Sequence, residues 1–171
     1  SYVNDKLGIW GHSMSGNTVL RSLLVSDEFS AGVIWAGAVY SYEDFYRYGI
    51  SDNSYQRQPL QNVQDSPNRE NSPEVQKIRE RSSEIDFNSP FWTSISLTKN
   101  LQYLNAHLQI HHASNDGVVN VNYSRDLVEV GNASGSKIEY YEYSGGGHNI
   151  ESPYFETAMS RTIEFFKLHL R

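Results

Sequence analysis

The sequence predicts an α/β fold, a parallel sheet with helices on both faces. Three observations carry the prediction. Runs with the length and character of strands recur at 7–10, 31–36, 108–113 and 137–143. Segments with apolar residues at helical spacing fall between them, so strands alternate with helices along the chain. The first run breaks at Gly11, presents one serine, Ser13, and passes at once into a helical pattern. That strand–turn–helix order is the setting in which a nucleophilic serine is held.

Composition narrows the class. The 171 residues, 38% apolar and 20% charged, are enough for one globular domain with a sizeable core. Residues 1–171 read as a single unit in which 40–107 is an insertion or cap-like segment between strands. A net charge of −6 favours neither nucleic acid nor an anionic membrane as partner. Cysteine is absent, which removes disulfides, thiolate metal sites and cysteine nucleophiles. No apolar run approaches the length of a transmembrane helix.

In chain order, the strand 7–10 leads to the serine turn. The residues two before and two after such a serine must be small, and Gly11 and Ser15 meet that demand. Val19, Leu20, Leu23 and Leu24 then give an amphipathic helix of about three turns. The continuous apolar run at 31–36 reads as a buried parallel strand. The aromatic stretch at 40–48 either packs its rings on the body or forms a wall of a substrate site, with Tyr40, Tyr42 and Phe45 as lining residues. Residues 51–72 are polar and aperiodic, a loop or insertion. Ser72-Pro73 reads as a helix start, opening a polar helix to about residue 85.

Ser89-Pro90-Phe91-Trp92 reads as an extended turn, and 98–105 carries a short apolar pattern. The third strand, 108–113, contains adjacent histidines. His111 and His112 point to opposite faces of a strand, cannot share one ion, and are read as structural. A helix follows from about 122 to 130, closed by Gly131. After the fourth strand comes a flexible glycine-rich loop at 144–149 that holds His148. Ser152-Pro153 caps a last helix along which Phe155, Met159, Thr162, Ile163, Phe166 and Leu170 share a stripe.

Reactive groups in open parallel sheets gather on loops at the carboxyl ends of strands. Ser13 leaves the first predicted strand, Asp116 the third and His148 the fourth. The residue types fit one chemistry. A serine hydroxyl is a poor nucleophile until an imidazole takes its proton, and a carboxylate must hold that imidazole in the right tautomer. Asp126, Glu129 and Glu142 compete with Asp116 for the acid but fall inside a predicted helix or strand.

Gly-His-Ser-Met-Ser-Gly-Asn at 11–17, Ile-His-His-Ala-Ser-Asn-Asp-Gly-Val-Val at 110–119 and Tyr-Ser-Gly-Gly-Gly-His-Asn at 143–149 together resemble the catalytic domain of the prolyl oligopeptidase family, serine peptidases and similar esterases of the α/β-hydrolase superfamily. The resemblance implies an α/β-hydrolase-type sheet and cleavage of peptide bonds through an acyl-enzyme. It implies Ser13 as nucleophile, Asp116 as orienting acid, His148 as general base and the Met14 N–H as one oxyanion donor. Ser15 departs from the family's usual glycine. Carboxylester hydrolysis is the alternative, as is a non-catalytic half-domain whose triad does not assemble. Neither a metal nor another cofactor is expected. Family members carry several strands ahead of the serine turn. The chain is therefore expected to cover the C-terminal part of the sheet, without the loop that supplies the second oxyanion donor. Strand 7–10 is expected to have a bare edge, to be paired by an N-terminal segment or by another chain.

Overall fold

A computed structural model describes residues 6–50 and 85–171. Four strands, β1 (Leu7–His12), β2 (Phe29–Trp35), β3 (His107–Ala113) and β4 (Ile138–Tyr143), form one sheet in the order β1-β2-β3-β4. Every neighbouring pair is parallel. Between them run α1 (Ser15–Val25), α2 (Tyr42–Tyr48), α3 (Pro90–Ile95), a 3₁₀ turn (Thr98–Tyr103) and α4 (Asn122–Ser134), and α5 (Phe155–His169) closes the chain.

The two-residue period of the strands divides the core into two layers. Ile34 of β2, with Leu108 and Ile110 of β3, packs among Val19, Leu20 and Leu23 of α1 and Tyr123 and Leu127 of α4. The alternate residues of β2, Ala31, Val33 and Trp35, pack against Ala158 and Phe165 of α5 on the opposite face. A central strand covered on both sides must be apolar at every position, which is why 31–36 is a continuous apolar run. The fold class predicted from the alternation of elements is the one observed.

Four local expectations change. Residues 90–95 are helical rather than an extended turn. Pro90 stands at the first turn of α3, where its missing N–H costs nothing, but a helix this short has too little periodicity to read. Helix α4 runs through Gly131 and ends at Gly135, in the left-handed region at φ 78°; the Ser136 N–H closes the end by bonding back to the Gly131 carbonyl. Gly131 serves packing instead, because a Cβ there would lie 2.2 Å from Ile138 Cδ1. Helix α5 begins at Phe155, with Tyr154 as its cap rather than Ser152. Its buried face is Ala158, Thr162 and Phe165; of the predicted stripe, Met159, Phe166 and Leu170 pack partly buried against the same core, while Phe155 and Ile163 are 43% and 46% exposed. Neighbouring stripes on a helix read alike in sequence, and contact with the sheet selects one. The helix predicted from Ser72 and the loop 51–72 lie outside the described residues. No helix among the described residues is long and apolar enough to cross a membrane.

The start of α1 meets the turn after β2 without side chains between them. A Cβ on Gly16 would lie 2.7 Å from Gly37 Cα, a backbone atom that cannot yield. Gly16→Val is expected to destabilise the protein by about 1–3 kcal/mol, read as a lowered thermal midpoint. Thr18→Val, exposed on the same helix, should leave the midpoint nearly unchanged.

Candidate active site

Ser13 sits where β1 turns into α1, at φ 58°, a conformation that L-residues adopt only under constraint. Hydrogen bonds on both sides supply the constraint. The Ser13 N–H donates to the Trp35 carbonyl at 2.9 Å, and the Ser13 carbonyl accepts from the Gly16 N–H at 2.9 Å. A Cβ on Gly11 would lie 2.9 Å from both Cβ and O of Ser15. Val19 Cγ2 would lie closer still, at 2.8 Å, so residue 11 has no room for a side chain. The facing turn after β2 is similarly bent, with Ala36 and Val39 at φ 48° and 57°. Asn17 ties it to α1 by donating its side-chain amide to the Val39 carbonyl.

Asp116 lies in the loop after β3 with no side-chain exposure. Oδ1 accepts the N–H groups of Val118 and Val119 at 2.8 and 2.9 Å. Oδ2 accepts from two imidazoles, His148 Nδ1 at 2.8 Å and His112 Nε2 at 3.1 Å. Burial by itself would raise its pKa. The hydrogen bonds from His112, His148 and the two backbone N–H groups overcome it and hold the carboxyl well below the usual aspartate range.

His148 completes the arrangement. With Nδ1–H donated to the carboxylate, Nε2 is an acceptor, and it lies 2.9 Å from Ser13 Oγ. The sequence suggests a flexible loop here, and the structure shows a pinned turn. Gly146 and Gly147 adopt φ 98° and 58°, and 147–149 form a 3₁₀ turn. The Gly147 N–H donates to Asn115 Oδ1 at 2.9 Å, and the Glu151 N–H donates to the Gly146 carbonyl at 2.8 Å. The residue preceding the serine also grips this turn. His12 Nε2–H donates to the His148 carbonyl at 2.9 Å, with the two rings 4.6 Å apart.

Ser13, Asp116 and His148, far apart in sequence, are thus joined by two hydrogen bonds at the carboxyl edge of the sheet. Met14 follows at the head of α1, where first-turn N–H groups have no intrahelical acceptor. The aromatic candidates separate. Tyr40 is 1% exposed and belongs to the core between α1 and α4, which takes it out of any surface wall. Tyr42 and Phe45, on α2, remain 40% and 41% exposed, and Tyr42 packs on Trp92 with ring centres 4.9 Å apart. A cavity of about 250 Å³ beside Asp116 is lined by Tyr48, Ser114, Val118, Asn120 and Val121.

The adjacent histidines face opposite ways, as the strand period requires. His111 lies on the α5 side, bonded to Tyr143 Oη at 2.8 Å and Gln109 Oε1 at 2.7 Å, its pKa pushed down to about 3 by burial and by Arg161. His112 faces α4 and reaches Asp116, a contact that reading both histidines as structural overlooked. The signal was present, since His112 is the penultimate residue of β3 and Asp116 lies four residues on, in the loop that follows. Among the described residues, no three His, Cys, Asp or Glu side chains converge on a metal-sized site.

No family model matches the sequence, and no curated protein matches it either. Solved structures do match the fold. The acylaminoacyl peptidase of Pyrococcus horikoshii superposes with a TM-score of 0.69 at 19% identity, over 98% of this chain and 24% of that one. A puromycin-hydrolyzing peptidase of Mycobacterium tuberculosis gives 0.70 at 15%, over 98% and 22%. An esterase of Pyrococcus furiosus gives 0.59 at 15%, over 98% and 55%. The likeness establishes an α/β-hydrolase-type sheet. The chain spans about a quarter of the length of the two peptidases.

The Asp116 pairings have a consequence for stability. Its pKa is depressed on folding, so its stabilising contribution is full above the ordinary value of 3.8 and is lost as pH falls toward the lower folded value. Asp116→Asn should therefore be less stable than the parent at pH 6, with a difference that shrinks between about pH 4 and pH 2. Urea midpoints of both proteins across that range read the effect. A difference that stays constant would mean that the ionised carboxylate is not what the fold holds.

Proposed function

We propose that this chain carries the chemistry of a serine hydrolase, a prolyl oligopeptidase-like peptidase that cleaves peptide bonds through an acyl-enzyme on Ser13. The observation that supports it is the continuous path Asp116–His148–Ser13, at 2.8 and 2.9 Å, with the serine held in a left-handed turn. In this reading Ser13 Oγ attacks the substrate carbonyl carbon while His148 Nε2 takes the hydroxyl proton. Asp116 keeps the ring in the Nδ1–H tautomer and stabilises the imidazolium that forms. The Met14 N–H faces the oxygen that gains negative charge. The C–N bond then breaks as His148 returns the proton to the leaving amine, and water repeats the sequence to release the acyl group. No cofactor takes part.

The alternative substrate is a carboxylester, supported by the Pyrococcus furiosus esterase among the structural neighbours. Rates on matched ester and amide substrates separate the two. Tyr42 and Phe45 are proposed as the aromatic wall beside the acyl group.

The decisive test is covalent labelling of Ser13. The parent should react with a fluorophosphonate probe and hydrolyse an activated ester. Ser13→Ala should lose labelling completely and turnover by on the order of 10⁶-fold. Parent protein that neither labels nor turns over would reject the reading.

We propose further that β1 has a partner strand, from this polypeptide or from another chain. Among the described residues β1 pairs only with β2, and its Leu7 and Trp10 are 48% and 50% exposed, a combination that invites strand addition. Hydrogen exchange on the native assembly should find the outward-directed amides of β1 protected. Exchange of these amides at the rate of an open edge would rule the partner out.

A further inference from the structure

His112 has no exposed surface and lies on β3, facing α4. Its Nε2 is 3.1 Å from Asp116 Oδ2 and 3.2 Å from the Val119 carbonyl. Both neighbours only accept, so this nitrogen carries the proton. Nδ1 is then the acceptor of the ring, and the hydroxyl 2.7 Å away, that of buried Ser124 in the first turn of α4, must donate to it. The tautomer is fixed from both ends. Donation by Ser124 polarises the ring and strengthens the bond that its other nitrogen gives to the carboxylate.

The consequence lies in how Asp116 is filled. A carboxylate offers about four lone-pair positions, and here all are taken: Val118 and Val119 on Oδ1, His148 and His112 on Oδ2. The two backbone donors hold one oxygen but leave rotation about the Cβ–Cγ bond opposed only by His148, the group that has to be positioned. His112 is a third anchor, independent of the reacting groups. Charged or ionisable groups near the pair include Glu142 on β4, which interacts with His112 and is paired with Arg125, and His12, which faces His148 from the end of β1.

We propose that His112, with Ser124 behind it, is a positioning unit for the triad. It fixes the plane of the Asp116 carboxylate and shares Oδ2 with His148, so that the His148 Nδ1–H is aimed without being bound at full strength. The proposal rests on the serine-hydrolase reading of Ser13, Asp116 and His148.

The test compares His112→Leu with His112→Gln in the full chain. Gln can place an amide N–H where Nε2 stood, and Leu cannot. For His112→Leu, kcat on an activated ester should fall on the order of tenfold, the size typical of lost orientation, with KM within about twofold of the parent. His112→Gln should recover most of the loss. In proton NMR the His148 Nδ1–H resonance should move downfield in the Leu variant, whose Oδ2 is no longer shared, and return toward the parental position in the Gln variant. Ser124→Ala should give smaller changes in the same directions. A folded Leu variant with parental kcat, an unmoved resonance, or a Gln variant as impaired as Leu would overturn the proposal. If the Leu variant does not fold, Ser124→Ala decides, and parental values there overturn it. A parent without any hydrolysis or labelling would defeat the serine-hydrolase reading, while the resonance of His148 would still decide the role of His112.

Discussion

The carboxyl edge of this sheet is built around one constraint, a carboxylate with no solvent contact that must stay charged. An unpaired ion in such a place costs several kcal/mol. Asp116 is kept by four donors, and hydrogen bonds to charged groups contribute roughly 1.5–3 kcal/mol each. The donors come from separate pieces of the chain: His112 from β3, the Val118 and Val119 N–H groups from the loop after it, and His148 from the turn after β4. A slip in the register of β3 against β4 would strand the charge. Conversely, a correctly paired Asp116 forces the imidazole of His148 toward Ser13. Fold and site are in this sense the same set of contacts.

A second demand, steric rather than electrostatic, acts at the other end of the path from Asp116 through His148 to Ser13. The left-handed turn at Ser13 is tolerable only because its N–H and carbonyl are both engaged and the surrounding backbone comes unusually close. Gly11 leaves room for Ser15, and Gly16 and Gly37 leave room for one another. These glycines act by the absence of a Cβ, at negative φ. The glycines of the His148 turn act differently, since Gly146 and Gly147 stand at positive φ. One residue type thus solves a packing problem beneath the serine and a conformational problem beneath the histidine.

Much of this was legible in the sequence because it is written in order and period. Alternating strand and helix patterns sufficed for a parallel sheet, and the chain order of Ser13, Asp116 and His148 placed all three after strands whose carboxyl ends coincide. What escaped was whatever depends on a partner distant in sequence. Gly131 looks like a helix stop until Ile138 is seen against it. The stripe of α5 could not be chosen without the sheet. Tyr40 reads equally as a packed ring or as a wall of a substrate site until α1 and α4 enclose it. His112 reads as a core histidine, since its role depends on two acceptors at 3.1 and 3.2 Å that only the fold brings to one nitrogen. The glycine-rich loop misled in the other direction. Glycine content suggests freedom, whereas here it permits the dihedrals of a turn anchored by Asn115 and Glu151.

The strand that leads into Ser13 is joined to the His148 turn twice. Among the described residues β1 has a sheet neighbour on one side only, so its backbone ladder alone is a weak reference for a reactive atom. Two contacts compensate by crossing the carboxyl ends of the intervening strands. Ser13 Oγ meets His148 Nε2, and the ring of His12 meets the His148 carbonyl. In the proposed mechanism the first is the bond through which the proton passes, and it breaks when the serine reacts. The second involves neither nucleophile nor proton, so it can persist while the first is broken. It therefore joins the first strand to the turn after the fourth whether or not the Ser13–His148 bond is made.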